Sequence, residues 1–403
     1  MHSIHQNQIQ SIASGSKSHQ LSVDKADVEQ ISELLRNQYR IIDISDTHYR
    51  LKKEFENLKT LRISLTEKCN YRCFFCHEEG LDMKAGWKSK SEAEVYALIL
   101  RAIARGYNDI TFTGGEPLIK YKEIINILNR LNQEHFQPDI SITTNAQLIN
   151  DDIVKAVEAY KGKVKFNVSL HHTNPEKYLK ITNPKRQDKE HFEKIKQNIR
   201  LLTENEIFTK LNFVVLKGLN TDIEDLHDII DTAVKLNVKT IKFLELLITN
   251  KLIKFYKYHY TLDAIISTLK DELRFVSENL RTSYYEHIPT GLIVEFSHVS
   301  CSMGCDKCVL NSELILTSEL KFHPCFFHSE KGLDMSTDDA FDKNYQLGNQ
   351  HRIDYGKKYG NKTPFIVNER GSLTSKTEYQ YITDDFERFE AYLLGNCSHF
   401  KIK

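Results

Sequence analysis

The sequence predicts an α/β protein whose centre is a partial (β/α)6 barrel of the TIM type. Three observations predict this fold class: strand-like segments alternate with amphipathic helical segments, six such strands have five clear helices between them, and chemically reactive motifs directly follow the first two strands. Such alternation specifies parallel strands joined by right-handed crossovers. Open doubly wound sheets share the pattern. The barrel is favoured because reactive groups in barrel enzymes follow the carboxyl ends of strands.

The predicted strands are short apolar or β-branched runs, and they cover residues 61–65, 109–113, 139–144, 164–170, 208–216 and 238–246. The predicted helices place apolar residues at helical spacing, and they cover residues 91–106, 121–134, 151–160, 190–205 and 223–237. Elsewhere we expect helices at 27–36 with Asp27 as N-cap, near 262–278, and at 384–396.

Changes in composition and in the alternation of strands and helices predict four regions. These are a partly disordered N-terminal extension at 1–58, the barrel at 59–248, a region with a second cysteine group at 249–335, and a polar, tyrosine-rich tail at 336–403.

Charge and hydropathy exclude several classes of function. Acidic and basic residues balance at 55 each, so the sequence predicts no nucleic-acid partner. No apolar run is long enough to span a bilayer, and the polar N-terminus lacks the apolar core of a signal peptide. We therefore expect a cytoplasmic protein without a membrane partner.

The eight cysteines fall into two groups, with Cys397 alone: the first contains Cys69, Cys73 and Cys76, and the second contains Cys301, Cys305, Cys308 and Cys325. In a large chain without an export signal, clustered thiols indicate metal ligands rather than disulfides.

The first group has the spacing CxxxCxxC. Three thiolates can hold three irons of a 4Fe–4S cluster and leave the fourth iron open to a small molecule. The alternative is a structural zinc site with His77 as fourth ligand. The position of the loop at the head of a βα series favours the iron site, because small zinc modules do not need that context.

Six segments follow one another along the chain: LRISLTEKCNYRCFFCHEEG, FTGGEPL, ITTN, FNVSL, KLNFVVLKGLN and IKFLEL. In this order they resemble the radical S-adenosylmethionine (SAM) superfamily, and within it the GTP 3′,8-cyclases. The resemblance covers about residues 60–248 and resumes weakly at 301–327. It implies a 4Fe–4S cluster whose open iron binds SAM. It also implies one-electron cleavage of SAM to a 5′-deoxyadenosyl radical, hydrogen abstraction from a substrate, and a reductase partner such as flavodoxin or ferredoxin.

The resemblance also assigns residues. Cys69, Cys73 and Cys76 would ligate the cluster as the catalytic centre, and the SAM-binding positions would be Phe75, Gly114, Gly115, Glu116, Pro117, Thr144, Asn145 and Ser169. Taken alone, the GGEP segment also fits an ordinary turn, and the side chains of Thr144, Asn145 and Ser169 also fit helix caps. Candidate contacts to an anionic substrate are Arg62, Lys120, Lys210 and Asn212. Surface charge explains isolated lysines equally well.

In the second group, Cys305, Cys308 and Cys325 resemble the auxiliary-cluster ligands of the cyclases, and Cys301 is additional. If Cys301 also ligates, an auxiliary 4Fe–4S cluster is fully coordinated; if it does not, one iron stays open. A four-cysteine zinc site is the alternative.

The cyclases carry arginines after the second cysteine, whereas VLNSELILT follows Cys308 here. The sequence therefore does not predict the cyclase reaction itself.

Three functions remain open. The first is a radical enzyme for a small molecule, either nucleotide-like or a natural-product intermediate. The second is a peptide-modifying radical enzyme whose residues 1–58 help to dock a leader peptide. The third is a non-catalytic zinc scaffold. His171 and His172 follow the fourth strand, where they either transfer protons or stabilise a loop.

Overall fold

The computed structural model describes residues 20–27, 30, 33, 39–44, 48–53, 59–77, 89–184, 189–247, 255, 257–278, 281–299, 313–325 and 332–359. Most of the helix predicted at 27–36 lies outside these residues, as do the helix predicted at 384–396 and Cys301, Cys305, Cys308 and Cys397.

A small antiparallel sheet precedes the barrel. Its strands are β1 (Gln20–Asp24), β2 (Tyr39–Ile44) and β3 (His48–Lys53), in the order β1-β3-β2. Val23 and Leu51 are buried, so the sheet has an apolar side. The sequence analysis did not predict these strands.

The predicted alternation of strands and helices is confirmed. The six parallel strands are β4 (Lys59–Ser64), β5 (Tyr107–Thr113), β6 (Asp139–Thr144), β7 (Val164–Ser169), β8 (Phe208–Val214) and β9 (Thr240–Leu244). The helices that connect them are α1 (Glu92–Ile103), α2 (Tyr121–Gln133), α3 (Asp151–Ala159), α4 (Pro175–Thr182), α5 (Lys189–Glu204) and α6 (Ile223–Lys235). Helix α1 begins with a capping box between Ser91 and Glu94, which satisfies two backbone N–H groups.

Two strand groups extend this sheet. Beside β9 lies β12 (Leu292–Ser297), followed outward by β11 (Thr282–His287) and β10 (Leu273–Glu278). Beside β4 lies β13 (Glu313–Leu316), followed by β14 (Lys321–Phe322) and β15 (Leu333–Asp334). Strands β12 and β13 are parallel to their barrel neighbours, so the parallel core contains eight strands.

The helix predicted near 262–278 is wrong in its second half. Helix α7 covers only Leu262–Thr268, and the chain then forms β10, which pairs with β11. The β-branched and aromatic residues of Leu273–Glu278 suit a paired strand. A further helix, α8 (Asp338–Tyr359), occupies part of the tail, where no helix was predicted.

The two faces of the sheet differ in polarity. On one face, apolar side chains such as Leu61, Ile110 and Phe166 are fully buried and belong to one core with the helices. Residues in register share a face, and the opposite face carries Arg62, Thr111, Ser141, Asn167, Lys210 and Lys242. We call this second face the polar face. It is the inner side of the partial barrel, since the helices cover the other side.

Helix α8 packs against the amino-terminal ends of β4 and β5. The ring of Phe341 lies edge-on to Tyr107 at 6.0 Å, and Arg105 forms ion pairs with Asp338 and Asp342. Within the part of the chain that the structure describes, no helix has both the length and the apolar character needed to cross a bilayer.

Candidate active site

The first cysteine group lies in the loop that leaves β4. Cys69 and Cys73 are half-buried, Cys76 is exposed, and none of the three forms a disulfide bond. The Cys69 Sγ atom accepts a hydrogen bond from the Tyr71 N–H at 3.3 Å, and the Cys76 N–H donates to the Cys73 carbonyl at 3.1 Å. These contacts fold the CxxxCxxC segment into a compact loop.

Two glycines after β5 hold the start of this loop. The Gly115 N–H donates to Thr66 O at 2.6 Å, and the Glu116 N–H donates to Lys68 O at 2.8 Å. A Cβ atom on Gly115 would lie 2.2 Å from Lys68 O. One on Gly114, whose φ is +131°, would lie 2.4 Å from Thr66 O. Only glycine permits this approach, so the GGEP segment does more than turn the chain.

Helix α4 holds the other side of the cysteine loop. The Arg72 N–H donates to Thr182 O at 3.1 Å, and the Phe74 N–H donates to Ile181 O at 3.4 Å. The last carbonyls of a helix lack intrahelical donors, and here the cysteine loop supplies them. The buried Tyr71 hydroxyl also lies 2.7 Å from His191 Nε2 on α5. The loop is thus held between β5 and the α4–α5 pair.

Glu116 is fully buried beneath the loop. Its carboxylate accepts hydrogen bonds from the Thr144 hydroxyl at 2.7 Å, the Asn145 N–H at 2.8 Å and the Leu118 N–H at 3.0 Å. Burial raises the pKa of Glu116 to about 7, although these hydrogen bonds oppose the shift. The carboxylate therefore joins the end of β5 to the end of β6, and Pro117 begins the 3-10 helix Pro117–Lys120 that follows.

Thr144 and Asn145 belong to the same network as the cysteine loop. The Asn145 Nδ2 atom donates to Asn70 Oδ1 at 2.7 Å, next to Cys69. The Thr144 Oγ1 atom accepts from the Ala146 N–H at 3.0 Å, which is a local turn contact. Both residues predicted from the resemblance thus lie at the site, where they connect it to β6.

Phe75 of the cysteine loop contacts the end of β7, where the two histidines lie. The Phe75 ring packs edge-on against His171, with 4.8 Å between ring centroids. Burial lowers the pKa of His171 to about 3, and its Nδ1 accepts from the Val214 N–H at 3.1 Å. His172 Nδ1 accepts from the Thr173 N–H at 2.9 Å. These contacts favour the interpretation that both histidines stabilise the loop.

The predicted substrate residues separate into two places. Arg62, Lys210 and Asn212 lie on the polar face, and Asn212 is in register with Ser169. Lys120 does not share their surroundings: its ammonium binds Glu123 Oε2 at 3.1 Å and Lys90 O at 3.4 Å, beside the start of α2. The buried Asn212 Oδ1 has no hydrogen-bond partner among the described residues, so it is able to accept from a bound molecule.

The polar face carries more cations than were predicted from the sequence. Register places Lys165 and Lys242 there with Lys210 and Arg62, and adds Glu295 from β12. Glu295 Oε1 is 2.5 Å from Lys210 Nζ, and Oε2 is 3.8 Å from Lys242 Nζ. Burial opposes ionisation of Glu295, but these ammonium groups lower its pKa below the ordinary value. Two further carboxylates, Asp109 and Asp139, lie lower on this face, near the amino ends of the strands.

A signal in the sequence could have found Lys165, Lys242 and Glu295. In VKFNVS and TIKFL a lysine lies between two apolar residues, and in LIVEFS a glutamate interrupts an apolar run. A charged residue within an otherwise apolar parallel strand indicates that one face of the sheet is not covered by apolar helices.

Of the second cysteine group, only Cys325 is described, and it is half-buried. The hairpin β13–β14 returns it toward the start of β13, where Arg352 donates to Pro324 O at 3.1 Å and to Glu313 O at 3.0 Å. Since Glu313 pairs with Thr60, Cys325 lies near the amino-terminal end of β4. The first cysteine group follows the carboxyl end of the same strand.

The donor set fits an iron–sulfur cluster. Three cysteines outside any disulfide share one short loop, and thiolates are the ligands that such clusters prefer. Burial raises the pKa of the Cys69 thiol to about 11 and that of Cys73 further, so metal binding must displace these protons. Within the described ranges, no three His, Cys, Asp or Glu side chains converge on a position for a single metal ion.

Comparisons with known proteins agree with this donor set. The sequence pattern of the "Radical SAM superfamily" matches residues 63–233. A probable GTP 3′,8-cyclase of Thermococcus kodakarensis is 31% identical over 281 residues, which cover 68% of this chain and 86% of the relative. A GTP 3′,8-cyclase of Clostridium botulinum is 29% identical over 342 residues, which cover 82% of this chain and 99% of the relative.

Among solved structures, Streptococcus suis SuiB bound to the precursor peptide SuiA has a similar fold, with a TM-score of 0.54 and 15% identity. The match covers 71% of this chain and 64% of SuiB, so the chain spans less than two thirds of that protein. SuiB bound to S-adenosylmethionine matches with a TM-score of 0.53. The cysteine loop, the partial barrel and the cyclase relatives together show that the chain belongs to the radical SAM superfamily.

Proposed function

We propose that this enzyme abstracts hydrogen from an anionic, nucleotide-like small molecule bound on the polar face. The observation that carries the proposal is the group of four cations, Arg62, Lys165, Lys210 and Lys242, on four strands of the barrel. Glu295 of β12 forms ion pairs with two of them, Lys210 and Lys242. The cysteine loop follows the carboxyl end of the same sheet.

Cys69, Cys73 and Cys76 would hold a 4Fe–4S cluster, with SAM beside Phe75 and the Gly114–Gly115 backbone. When bound, this pair supplies a 5′-deoxyadenosyl radical by one-electron cleavage of SAM. The chain's own residues position the cysteine loop. Gly115 and Glu116 hold one side of the loop, and the carboxyl end of α4 holds the other.

The charges of the polar face support an anionic substrate. Arginine and lysine bind phosphate and carboxylate oxygens through charge-assisted hydrogen bonds. The Asn212 Oδ1 atom, which lacks a partner among the described residues, would accept from an N–H or O–H group of the substrate. The names of the relatives favour a nucleotide. The missing arginines after Cys308 favour a nucleotide-like molecule other than GTP.

We further propose an auxiliary 4Fe–4S cluster on the second cysteine group. Support comes from Cys325, which is a half-buried thiol at the opposite end of β4 from Cys69. A molecule on the polar face would then lie between the two cysteine groups. Whether Cys301 ligates decides if this cluster keeps an open iron for the substrate.

Anaerobic reconstitution followed by metal analysis and a binding assay tests the proposal. We expect about eight irons per chain, as two cubanes require, and about four in a Cys325→Ser variant. GTP and tripolyphosphate serve as anionic probes for isothermal titration. Binding that is equally tight in wild type and a Lys165→Met variant would contradict the role of the polar face, and zinc in place of iron would contradict the cluster.

A peptide substrate is the second candidate function. Among the described residues, β1 and β2 are the edge strands of the small sheet, and a sheet edge is able to pair with an extended peptide. SuiB, which has a similar fold, is bound to its precursor peptide. If peptides rather than nucleotides are substrates, a chain lacking residues 1–58 will keep SAM cleavage but lose turnover of the peptide. Unchanged nucleotide turnover in that truncated chain would favour the first candidate.

A further inference from the structure

Three aromatic rings meet beside the cysteine loop. Phe74 lies between Cys73 and Phe75 in that loop. Its ring packs against those of Phe255 and Tyr258, with 5.0 Å and 5.1 Å between ring centroids. Phe255 and Tyr258 precede α7, and their own rings are 6.5 Å apart. Ring pairs at such separations attract each other beyond the area that they bury. We call Phe74, Phe255 and Tyr258 the aromatic clamp.

Tyr258 is attached to the barrel through its neighbour in the chain. The His259 side chain is fully buried, and its Nε2 atom lies 3.2 Å from Glu245 Oε1. Glu245 directly follows β9, and its Oε2 atom accepts a hydrogen bond from the Val299 N–H at 3.0 Å. The Tyr258 carbonyl also accepts from the Lys217 N–H at 2.7 Å. The clamp is thus anchored at the carboxyl edge of the sheet, where the cysteine loop also lies.

The Glu245 carboxylate is charged in its buried position. Burial opposes ionisation, but the imidazoles of His259 and His298 lower the pKa of Glu245 below its ordinary value. The His298 Nδ1 atom lies 3.6 Å from Glu245 Oε2. A buried charge that leaves such partners pays a large desolvation cost. The carboxylate therefore favours one position of His259, and with it one position of Tyr258.

The clamp reaches the predicted SAM position through one further ring. The Phe74 ring lies edge-on to that of Phe75, with 5.6 Å between centroids. Phe75 also packs against His171 at the end of β7. Phe75 is therefore in contact with two rings, and one of these is held by the clamp. Without the Tyr258 ring, Phe74 keeps only Phe255 as its partner in the clamp and gains freedom to move.

We propose that Tyr258 is a positioning residue for SAM: it holds Phe74, and through Phe74 it fixes Phe75 beside the cofactor. The inference rests on the proposed function, which places SAM beside Phe75. Tyr258 acts without a contact of its own to SAM. A binding surface that is already ordered raises affinity, because less side-chain freedom is lost when the ligand binds.

A Tyr258→Ala variant tests the clamp, and Tyr345→Ala is its matched control. Both tyrosines are half-buried, and a lysine ammonium lies over each ring, at 5.0 Å and 5.8 Å from the centroids. Tyr345 packs against Tyr107 at the start of β5, at the opposite edge of the barrel from the cysteine loop. After reconstitution and iron analysis, each enzyme is titrated with SAM in a calorimeter. The electron paramagnetic resonance spectrum of the reduced cluster is recorded with and without SAM.

We expect Tyr258→Ala to keep full iron content and to raise the Kd for SAM about three- to tenfold, as the loss of one aromatic pair implies. At one fixed SAM concentration, the change that SAM causes in the resonance spectrum should be smaller than in wild type. Tyr258→Phe keeps the ring and should bind SAM like wild type. Tyr345→Ala should stay within about twofold of wild type, because distant sites act independently.

A second variant tests the anchor. Glu245→Gln keeps the size of the side chain but replaces one acceptor oxygen by a donor, so His259 loses part of its hold. It should also raise the Kd for SAM. The double variant with Tyr258→Ala should bind SAM no more weakly than Tyr258→Ala alone, because both changes act through one chain of contacts.

Equal Kd values for SAM in Tyr258→Ala and Tyr345→Ala, both with full iron content, would overturn the proposal. So would additive losses in the double variant, or a loss in Tyr258→Phe equal to that in Tyr258→Ala. If Tyr258→Ala loses iron, Tyr258→Leu takes its place with the same expectation. Loss of iron in both variants assigns Tyr258 a structural role and also overturns the proposal. A wild-type enzyme that holds its iron but binds no SAM would instead contradict the proposed function.

Discussion

Gly115→Ala is the substitution that most sharply tests how the cysteine loop is held. The added Cβ would lie 2.2 Å from Lys68 O, 2.5 Å from Lys68 C and 2.6 Å from Glu67 O. All three are backbone atoms, so no flexible side chain can move aside. The two segments must separate by about 1 Å to reach ordinary van der Waals contact.

The separation should remove two hydrogen bonds, from the Gly115 N–H to Thr66 O and from the Glu116 N–H to Lys68 O. Overpacking costs about 1–3 kcal/mol. Each lost hydrogen bond adds about 1 kcal/mol. We expect the metal-free protein to lose about 3–5 kcal/mol in free energy of unfolding. Urea denaturation followed by circular dichroism measures this change.

The same variant should bind less iron at the first cluster, because the loop start at Lys68 moves. Gly218→Ala is the matched control: its φ of +67° is strained for alanine, but no atom lies within 4 Å of the added Cβ. It should cost about 1–2 kcal/mol and keep full iron content. A Gly115→Ala protein as stable as wild type, with full iron content, would refute the assigned contact.

Three further predictions concern other parts of the site. Burial raises the pKa of Glu116 from 4.5 to about 7 in the folded state. The contribution of its protonation to the free energy of unfolding is therefore complete below pH 4.5 and is lost as the pH rises through about 7. Wild type should therefore lose stability relative to Glu116→Gln across that range in denaturation of the metal-free protein. Lys165→Met should weaken tripolyphosphate binding about three- to tenfold in calorimetry, with a smaller effect at high salt. Tyr71→Phe removes the hydroxyl that lies 2.7 Å from His191 and should lower the free energy of unfolding by about 1–3 kcal/mol, with no change if that contact is absent.

The barrel and its reactive edge could be predicted from the sequence because their signals are local. The helices between β4 and β9 show apolar residues at helical spacing, and the strands are short and buried. The cysteine loop and GGEP follow consecutive strands, so parallel pairing alone brings them to one edge.

Other features depend on contacts that sequence spacing does not show. Sequence spacing does not show that the Glu116 carboxylate accepts hydrogen bonds from Thr144 and Asn145 on the neighbouring strand end. Helix α8 is mostly polar, and its docking depends on distant partners such as Tyr107 for Phe341 and Pro324 O for Arg352. Strand β10 forms because β11 pairs with it, and this pairing overrides the helical pattern continuing from α7.

The most direct test of the central claim is the yield of 5′-deoxyadenosine from SAM after anaerobic reconstitution and reduction with dithionite. The account predicts that wild type and Cys325→Ser both form the product, whereas a variant with Cys69, Cys73 and Cys76 all changed to serine forms none. A wild-type protein that binds zinc at these thiols and leaves SAM intact would contradict it.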